Sequence, residues 1–490
     1  MNLATAFAAT ALKHPDKTAV FWGEHEFSYG RLHAQTRHVA GRLRGEFGIR
    51  PGDRVALWLK NCPEFIPALF GVLEAGGVAV PVNNFLKPDE VGFILADAGV
   101  DVIITDTTMG EGLAKLAAAR PQLKSLRVEE FVEEAGPPAS QAARAEGDLA
   151  IIIYTSGTTG HPKGAMLSHG NLLSNVNSCG QMLAAFEGDR FVVLLPMFHS
   201  FMLCVGVLLP LLVGGSLVLI KSLQQPKNIL AEIIHRRATI LPAVPQFFRT
   251  LAGAPLPADL PLRICISGGA PLPGEILREF NEKVPVPLLE GYGLSEASPV
   301  VSMNPLPGPW IAGSIGLPIP DVEMSVQDDD GKFLGTGETG EICVRGGNVM
   351  QGYWNQPEET ARTIRAGWLL TGDIGHRDAS GYYYITDRKK DMLLVNGINV
   401  YPHEVEEVIY QFPGVKEAAV IGVPDARRGE QPVAFVSAND GVTLDEKALQ
   451  QFVREKLADY KVPKRVIVLP ALPRNATGKI LKTALRKMPV

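Results

Sequence analysis

The sequence predicts an α/β protein: a large N-terminal domain of α/β sheet lobes carrying a small β-rich subdomain, then a small α+β C-terminal domain. Three observations carry this. Apolar runs of strand length alternate with helical patterns early in the chain, a band dense in Pro and Gly follows at 305–388, and the last stretch returns to helices and strands with caps of its own.

In chain order, 53–60 reads as a strand, 64–75 as a helix, 77–82 as a strand, 87–98 as a helix and 101–105 as a strand. That βαβαβ rhythm belongs to a mostly parallel sheet. The segment 136–147 is poor in large apolar residues and reads as a surface connection. A second α/β block runs over 150–289. Within it, 201–220 carries no charge and is long enough to cross a bilayer, but Pro210 and the pair Gly214-Gly215 interrupt it. It reads instead as a buried helix, a glycine turn and a buried strand at 216–220. Near the C-terminus, Pro402 suits the first turn of a helix whose apolar face is Val405, Ile409 and Phe412. Thr443 with Glu446 forms a capping box ahead of Leu449, Phe452, Val453 and Leu457. Strands are expected at 418–423, 433–437 and 466–469, and the domains divide as 1–388 and 389–490.

Composition excludes several classes. The 490 residues are 46% hydrophobic and 20% charged, which excludes a disordered chain. Lys+Arg is 47 against 52 Asp+Glu, so a net charge of −5 leaves no electrostatic case for nucleic acid. Cys62, Cys179, Cys204, Cys265 and Cys343 are scattered, odd in number and never in C-x-x-C, which suggests neither a disulfide framework nor a zinc site. A reducing, cytoplasmic setting fits this, and the start of the chain lacks the basic segment of a secretory signal.

The densest chemical signal is the loop from Tyr154 to Gly164, which follows an apolar strand. Hydroxyls, unencumbered backbone N–H groups and the Lys163 cation suit phosphate oxygens. It is not a Walker A loop, since counting from Gly157 as the first residue the sixth is Pro162 where the pattern needs Gly. In order, the chain then carries Phe198-His199-Ser200, Gly268-Gly269-Ala270-Pro271-Leu272 and Glu290-Gly291-Tyr292-Gly293-Leu294-Ser295-Glu296. Thr371-Gly372-Asp373, Asp387-Arg388-Lys389-Lys390-Asp391, Asn396-Gly397-Ile398 and Thr477-Gly478-Lys479 follow. Taken together these motifs resemble the adenylate-forming superfamily of AMP-dependent ligases, most closely its fatty-acyl-CoA ligases, over essentially the whole chain.

The resemblance implies a two-step reaction in which a carboxylate attacks the α-phosphate of ATP and a thiol, usually coenzyme A, then displaces AMP. Bringing two anions together calls for positioning and electrostatic stabilisation. By resemblance, Thr155, Ser156, Gly157, Thr158, Thr159, Gly160 and Lys163 would hold the β- and γ-phosphates. Glu296, with Thr155, would bind Mg²⁺ through hard oxygen donors. Gly268, Gly269 and Ala270, with Glu290, Gly291, Tyr292 and Gly293, would flank the adenine, Ser295 of the same motif would also belong to the cofactor site, and Asp373 and Arg388 would bind the ribose. An isolated Glu, Asp or His is ordinarily a solvated or core residue; the ordered motifs decide here. His199 would border the carboxylate, and Lys479 would bridge carboxylate and α-phosphate as the catalytic lysine. Lys390 occupies the hinge of a mobile C-terminal lid, whose rotation would remove Lys479 and bring Gly397 to the pantetheine arm.

The segments expected to line the acid pocket, 201–212, 241–248, 264–269 and 298–303, are largely apolar, with Arg249 and Arg263 at their edges. No acid follows His199 to pair an ammonium, which argues against amino acids. The expected substrate is a medium- or long-chain fatty acid, with an aromatic or terpenoid acid, or transfer to a separate carrier protein, as alternatives. Expected partners are the carboxylic acid, ATP and CoA, with no nucleic acid and no transmembrane segment; peripheral membrane contact and a homodimer are both compatible with the sequence.

Overall fold

Parallel strands whose C-terminal ends gather at one edge organise the N-terminal domain. The computed structural model describes residues 1–132, 142–155, 162–222, 226–389, 391–396, 398–425, 427–475 and 478–489. The first lobe holds Val78–Pro81, Arg54–Trp58, Val102–Thr105 and Lys124–Arg127 side by side and parallel, as the βαβαβ rhythm predicts. Leu149–Thr155 adds parallel to Val78–Pro81 and pairs antiparallel with Lys163–Ser168, so Thr155 stands opposite Lys163. The second lobe sets Leu288–Gly293, Ile264–Ser267, Ile240–Ala243, Arg190–Val193, Ser216–Leu219 and Thr18–Trp22 in parallel. These strands are covered on both faces, which explains their unbroken apolar runs.

The uncharged run divides much as expected. Met202–Leu208 is a π-helix, Leu209–Val213 continues as α-helix, and Gly214 turns the chain at φ 80° into the buried strand Ser216–Leu219. Among the described residues, no helix is long and apolar enough to cross a membrane. The Pro/Gly-dense band builds an antiparallel sheet of Val322–Gln327, Gly340–Gly346, Trp368–Arg377 and Tyr383–Arg388, with Ile364–Arg365 at its edge. Its strands reach ten residues, longer than the texture suggests.

The C-terminal domain packs Pro402–Tyr410 and Glu446–Lys456 on a sheet of Val415–Asp425, Gly429–Ala438 and Arg465–Val468. Pro402 opens its helix as expected. The cap of the second helix differs from expectation: Asp445, not Thr443, precedes it, and its carboxylate accepts from the N–H groups of Lys447 (2.9 Å) and Ala448 (3.1 Å). Thr443 lies two residues too early to reach those donors, and a charged acceptor at the helix start is the stronger cap. Arg388 ends the last strand of the subdomain and Leu393 begins the C-terminal sheet.

Candidate active site

The edge where the parallel strands end opens into a cavity of about 1160 Å³. Ligands of open α/β sheets sit at such carboxyl ends. The motifs at Thr155, His199, Gly268 and Glu296 stand at or after the ends of such strands, whereas Asp373 lies within the antiparallel strand Trp368–Arg377 and Lys479 in the C-terminal domain, so the topology brings together residues distant in sequence.

Thr155, the last residue of Leu149–Thr155, donates through Oγ1 to Glu296 Oε1 at 3.5 Å. The same oxygen accepts from the Tyr353 hydroxyl at 2.9 Å. Lys163 is buried, ion-paired with Glu359, and its ammonium lies 5.3 Å from the Tyr353 ring centre. Ser156, Gly157, Thr158, Thr159 and Gly160 fall outside the described residues.

A second cluster forms around Asp373. Its carboxylate accepts from the Tyr292 hydroxyl at 2.6 Å and pairs with Arg388 Nε at 3.1 Å across neighbouring strands. Burial, reinforced by the Asp373 charge, holds Tyr292 un-ionised, and Asp373 holds Arg388 charged. Ser295 and Ser200 hydroxyls meet at 2.9 Å, joining the turn before Glu296 to the turn after His199. Gly293 is required sterically: a Cβ there would lie 2.2 Å from the Pro299 carbonyl oxygen.

Gly268, Gly269 and Gly291 stand on the cavity wall, but Ala270 and Glu290 do not. The Glu290 side chain turns to the backbone, where Oε1 accepts from Leu272 N–H at 3.0 Å and Oε2 is buried with no hydrogen-bond partner among the described residues. Burial pushes this carboxyl up to about 8.

His199 lies on the wall with Nδ1 accepting from Phe201 N–H at 3.3 Å. That bond leaves the ring proton on Nε2. Burial first, and the Lys479 charge second, lower its pKa to about 4, so the ring is neutral. Lys479 also lies on the wall, carried by a turn in which its N–H donates to Asn475 Oδ1 and its carbonyl accepts from Asn475 N–H, each at 2.9 Å. Lys390 and Gly397 lie outside the described residues, and the strands Leu393–Val395 and Ile398–Val400 are off the cavity wall.

The expected acid-pocket segments contribute less than anticipated. Phe201, Ile266, Gly268, Gly269, Pro299, Val300 and Met303 reach the cavity, whereas 202–212 packs into the second lobe's core. Arg263 instead pairs with Asp189 at 2.6 Å and Arg249 with Glu279 at 3.2 Å. Sequence reasoning missed Tyr353 and Glu359, and missed that Leu86, Phe93 and Ile94 of the first lobe form a wall. The 87–98 helical pattern held the latter; nothing local marks Tyr353, whose role depends on pairing between Gly352–Tyr353 and Lys163–Ser168.

Known proteins resemble the chain over nearly its whole length. Residues 7–354 match the AMP-binding enzyme family and 404–479 the AMP-binding enzyme C-terminal domain. A long-chain-fatty-acid–CoA ligase of Bacillus subtilis (strain 168) is 35% identical, with 99% of this chain and 94% of that protein covered. A feruloyl-CoA synthase of Amycolatopsis sp is 38% identical over 96% of each chain. The ATP-bound crystal structure of MatB from Rhodopseudomonas palustris superposes with a TM-score of 0.93 at 35% identity and 99% coverage of both chains; its apo form gives 0.81.

Proposed function

Because the chain belongs to the AMP-binding, adenylate-forming family and is an AMP-forming acid–CoA ligase, we propose that its acid is a hydrophobic monocarboxylate, a medium- or long-chain fatty acid. The observation that carries this is the wall around His199: Phe198, Phe201, Ile266, Val300 and Met303 are apolar, and His199 is neutral. Among the described residues of the wall, the cations besides Lys479 are occupied: Lys163 pairs with Glu359, Arg388 with Asp373, and Lys389 with Asp329 and Glu341. A second carboxylate would find each of these already compensated, so dicarboxylic acids fit poorly.

In this reading Lys479 approaches the substrate carboxylate and the α-phosphate together. One carboxylate oxygen forms a bond to phosphorus, the bond to pyrophosphate breaks, and the lysine charge offsets the repulsion between the anions. In the second step the sulfur of CoA bonds to the acyl carbon, the carbon–oxygen bond to AMP breaks, and the thiol proton passes to solvent. Tyr292, Asp373 and Arg388 hold the ribose, and Lys163 faces the phosphates once its pairing with Glu359 opens.

Glu296 and Thr155 are the residues that would hold Mg²⁺. Both supply oxygen, and among the described residues no three His, Cys, Asp or Glu side chains converge, so nucleotide oxygens would complete the shell. The ion would supply neutralisation of phosphate charge. A lid role of 389–490, with the hinge expected at Lys390, is supported by Lys479 standing on the wall while the strands Leu393–Val395 and Ile398–Val400 stand off it.

The R. palustris MatB complex contains ATP, which supports the nucleotide part of this reading. A second reading, an aromatic acid, is favoured by the feruloyl-CoA synthase likeness and by Phe198 and Phe201 beside His199. Pyrophosphate release across straight-chain, aromatic, dicarboxylic and amino acids, with and without CoA, decides. The fatty-acid reading requires kcat/KM to rise with chain length, by up to ~0.8 kcal/mol per methylene. Highest kcat/KM for acetate, a dicarboxylate or an amino acid would overturn it.

A further inference from the structure

Resting on the adenylation role of Lys479 above, we propose that Arg249 is a positioning residue. With Glu279 it forms a latch that holds the C-terminal domain in the orientation where Lys479 faces the acid.

Arg249 lies on Pro245–Ala252 and Glu279 on Gly274–Lys283, both in the N-terminal domain and both off the cavity wall. Arg249 Nε and Nη2 donate to the two Glu279 carboxylate oxygens at 3.2 Å each. This fork fixes the guanidinium plane and leaves Nη1 to donate to the carbonyls of Lys416 at 3.1 Å and Val415 at 3.4 Å. Those carbonyls open the strand Val415–Asp425 of the C-terminal domain. A longer contact lies beside it, from Gly274 N–H to Glu407 Oε2 at 3.5 Å.

The arrangement suits repeated release. The acceptors are backbone carbonyls, so the latch reads the position of the domain and no particular side chain. When the domain turns, Nη1 exchanges two carbonyls for water, while the ion pair with Glu279 stays whole inside the N-terminal domain. No charge is stranded, in contrast to an ion pair split across the moving boundary. Arg249 thus biases the orientation toward adenylate formation without preventing departure from it.

The test uses the full chain and separates the half-reactions: acid-dependent pyrophosphate exchange, and thioester formation from supplied acyl-adenylate and CoA. Arg249→Ala is expected to lower the first about tenfold relative to the second, the scale of a lost hydrogen bond from a charged donor, with the KM for ATP unchanged. Glu279→Gln, which leaves the guanidinium but loosens its plane, should shift the same ratio in the same direction by a smaller factor. Arg249→Lys should restore it in part. Equal loss in both half-reactions, or no change in either, in variants whose Tm matches the unsubstituted chain would overturn the latch; if Arg249→Ala fails to fold, Glu279→Gln decides. Absence of pyrophosphate exchange by the unsubstituted chain with every acid would overturn the functional reading itself, a failure distinct from one confined to the variants.

Discussion

Gly268→Ala tests which ligand the loop after Ile264–Ser267 serves. Sequence reasoning assigns Gly268 to the adenine, yet a Cβ there would point at the Phe201 ring, with carbon atoms at 3.0, 3.2 and 3.3 Å. Gly268 has no positive φ, unlike Gly269 at 78°, so alanine adds no backbone strain and the effect is steric. The ring must yield by a few tenths of an ångström toward the apolar wall. Overpacking of this kind costs about 1–3 kcal/mol, which is roughly 5- to 150-fold in kcat/KM for the acid. The loss should fall on the acid, grow with its length, and leave the KM for ATP within about twofold, the scale of a surface change near ±0.5 kcal/mol. The assay is initial-rate pyrophosphate release over a straight-chain acid series. Phe201→Ala removes the obstacle, so Gly268→Ala should be nearly silent in that background, a coupling of at least ~1 kcal/mol. An equal cost in both backgrounds, or a loss confined to ATP, would refute the reasoning.

Other perturbations separate the remaining roles. Lys479→Ala should slow adenylate formation by ~10²–10³ while sparing thioester formation from supplied acyl-adenylate, by analogy with loss of one preorganised stabiliser; equal losses would move the lysine out of the first step. Glu296→Gln should raise the Mg²⁺ concentration for half-maximal activity, and an unchanged Mg²⁺ titration would remove the metal role. Glu290 has a folded pKa raised by burial to about 8, so the unfolded chain binds fewer protons between about pH 4.5 and 8 and stability falls as pH rises through that window. Glu290→Gln, which mimics the protonated acid, should therefore raise Tm at pH 8 more than at pH 5; an identical shift at both would mean the carboxyl titrates normally. Asp445→Ala should cost about 1 kcal/mol in denaturant unfolding of the C-terminal domain, whereas Thr443→Ala should stay within about 0.5 kcal/mol.

The order of strand and loop was legible because short apolar runs ending in Gly and hydroxyl clusters are local signals. The meeting of Thr155 with Glu296, and the arrival of Lys479 beside His199, were expected only from the likeness of the ordered motifs to the adenylate-forming family, not from those local signals. What was not legible depends on side-chain direction. Glu290 sits inside a motif that borders the cavity, yet its carboxylate turns to the Leu272 N–H while Gly291 and Tyr292 stand on the wall. Tyr353 and Glu359 reach Glu296 and Lys163 through a strand pairing that no local pattern announces. Likewise Thr443 fits a capping-box pattern, but the helix begins later, after Asp445.

The π-helix at Met202–Leu208 makes chain length itself a control on the acid site. It starts directly after His199 and Phe201 and runs into the ordinary helix Leu209–Val213, which is anchored in the buried core. A π segment accommodates one residue more than an α-helix of the same rise. Deleting a single residue such as Gly206 would let the segment rewind as α-helix against that fixed end while the residues upstream nearly keep their facing. One more residue, carried in a helix that stays continuous, would instead turn everything upstream by about 100°, and His199 and Phe201 would face other neighbours with no change in their identity. An insertion of one residue is thus a mutational route to altered acid preference separate from exchanging side chains in the wall, and a deletion is expected to be the milder change.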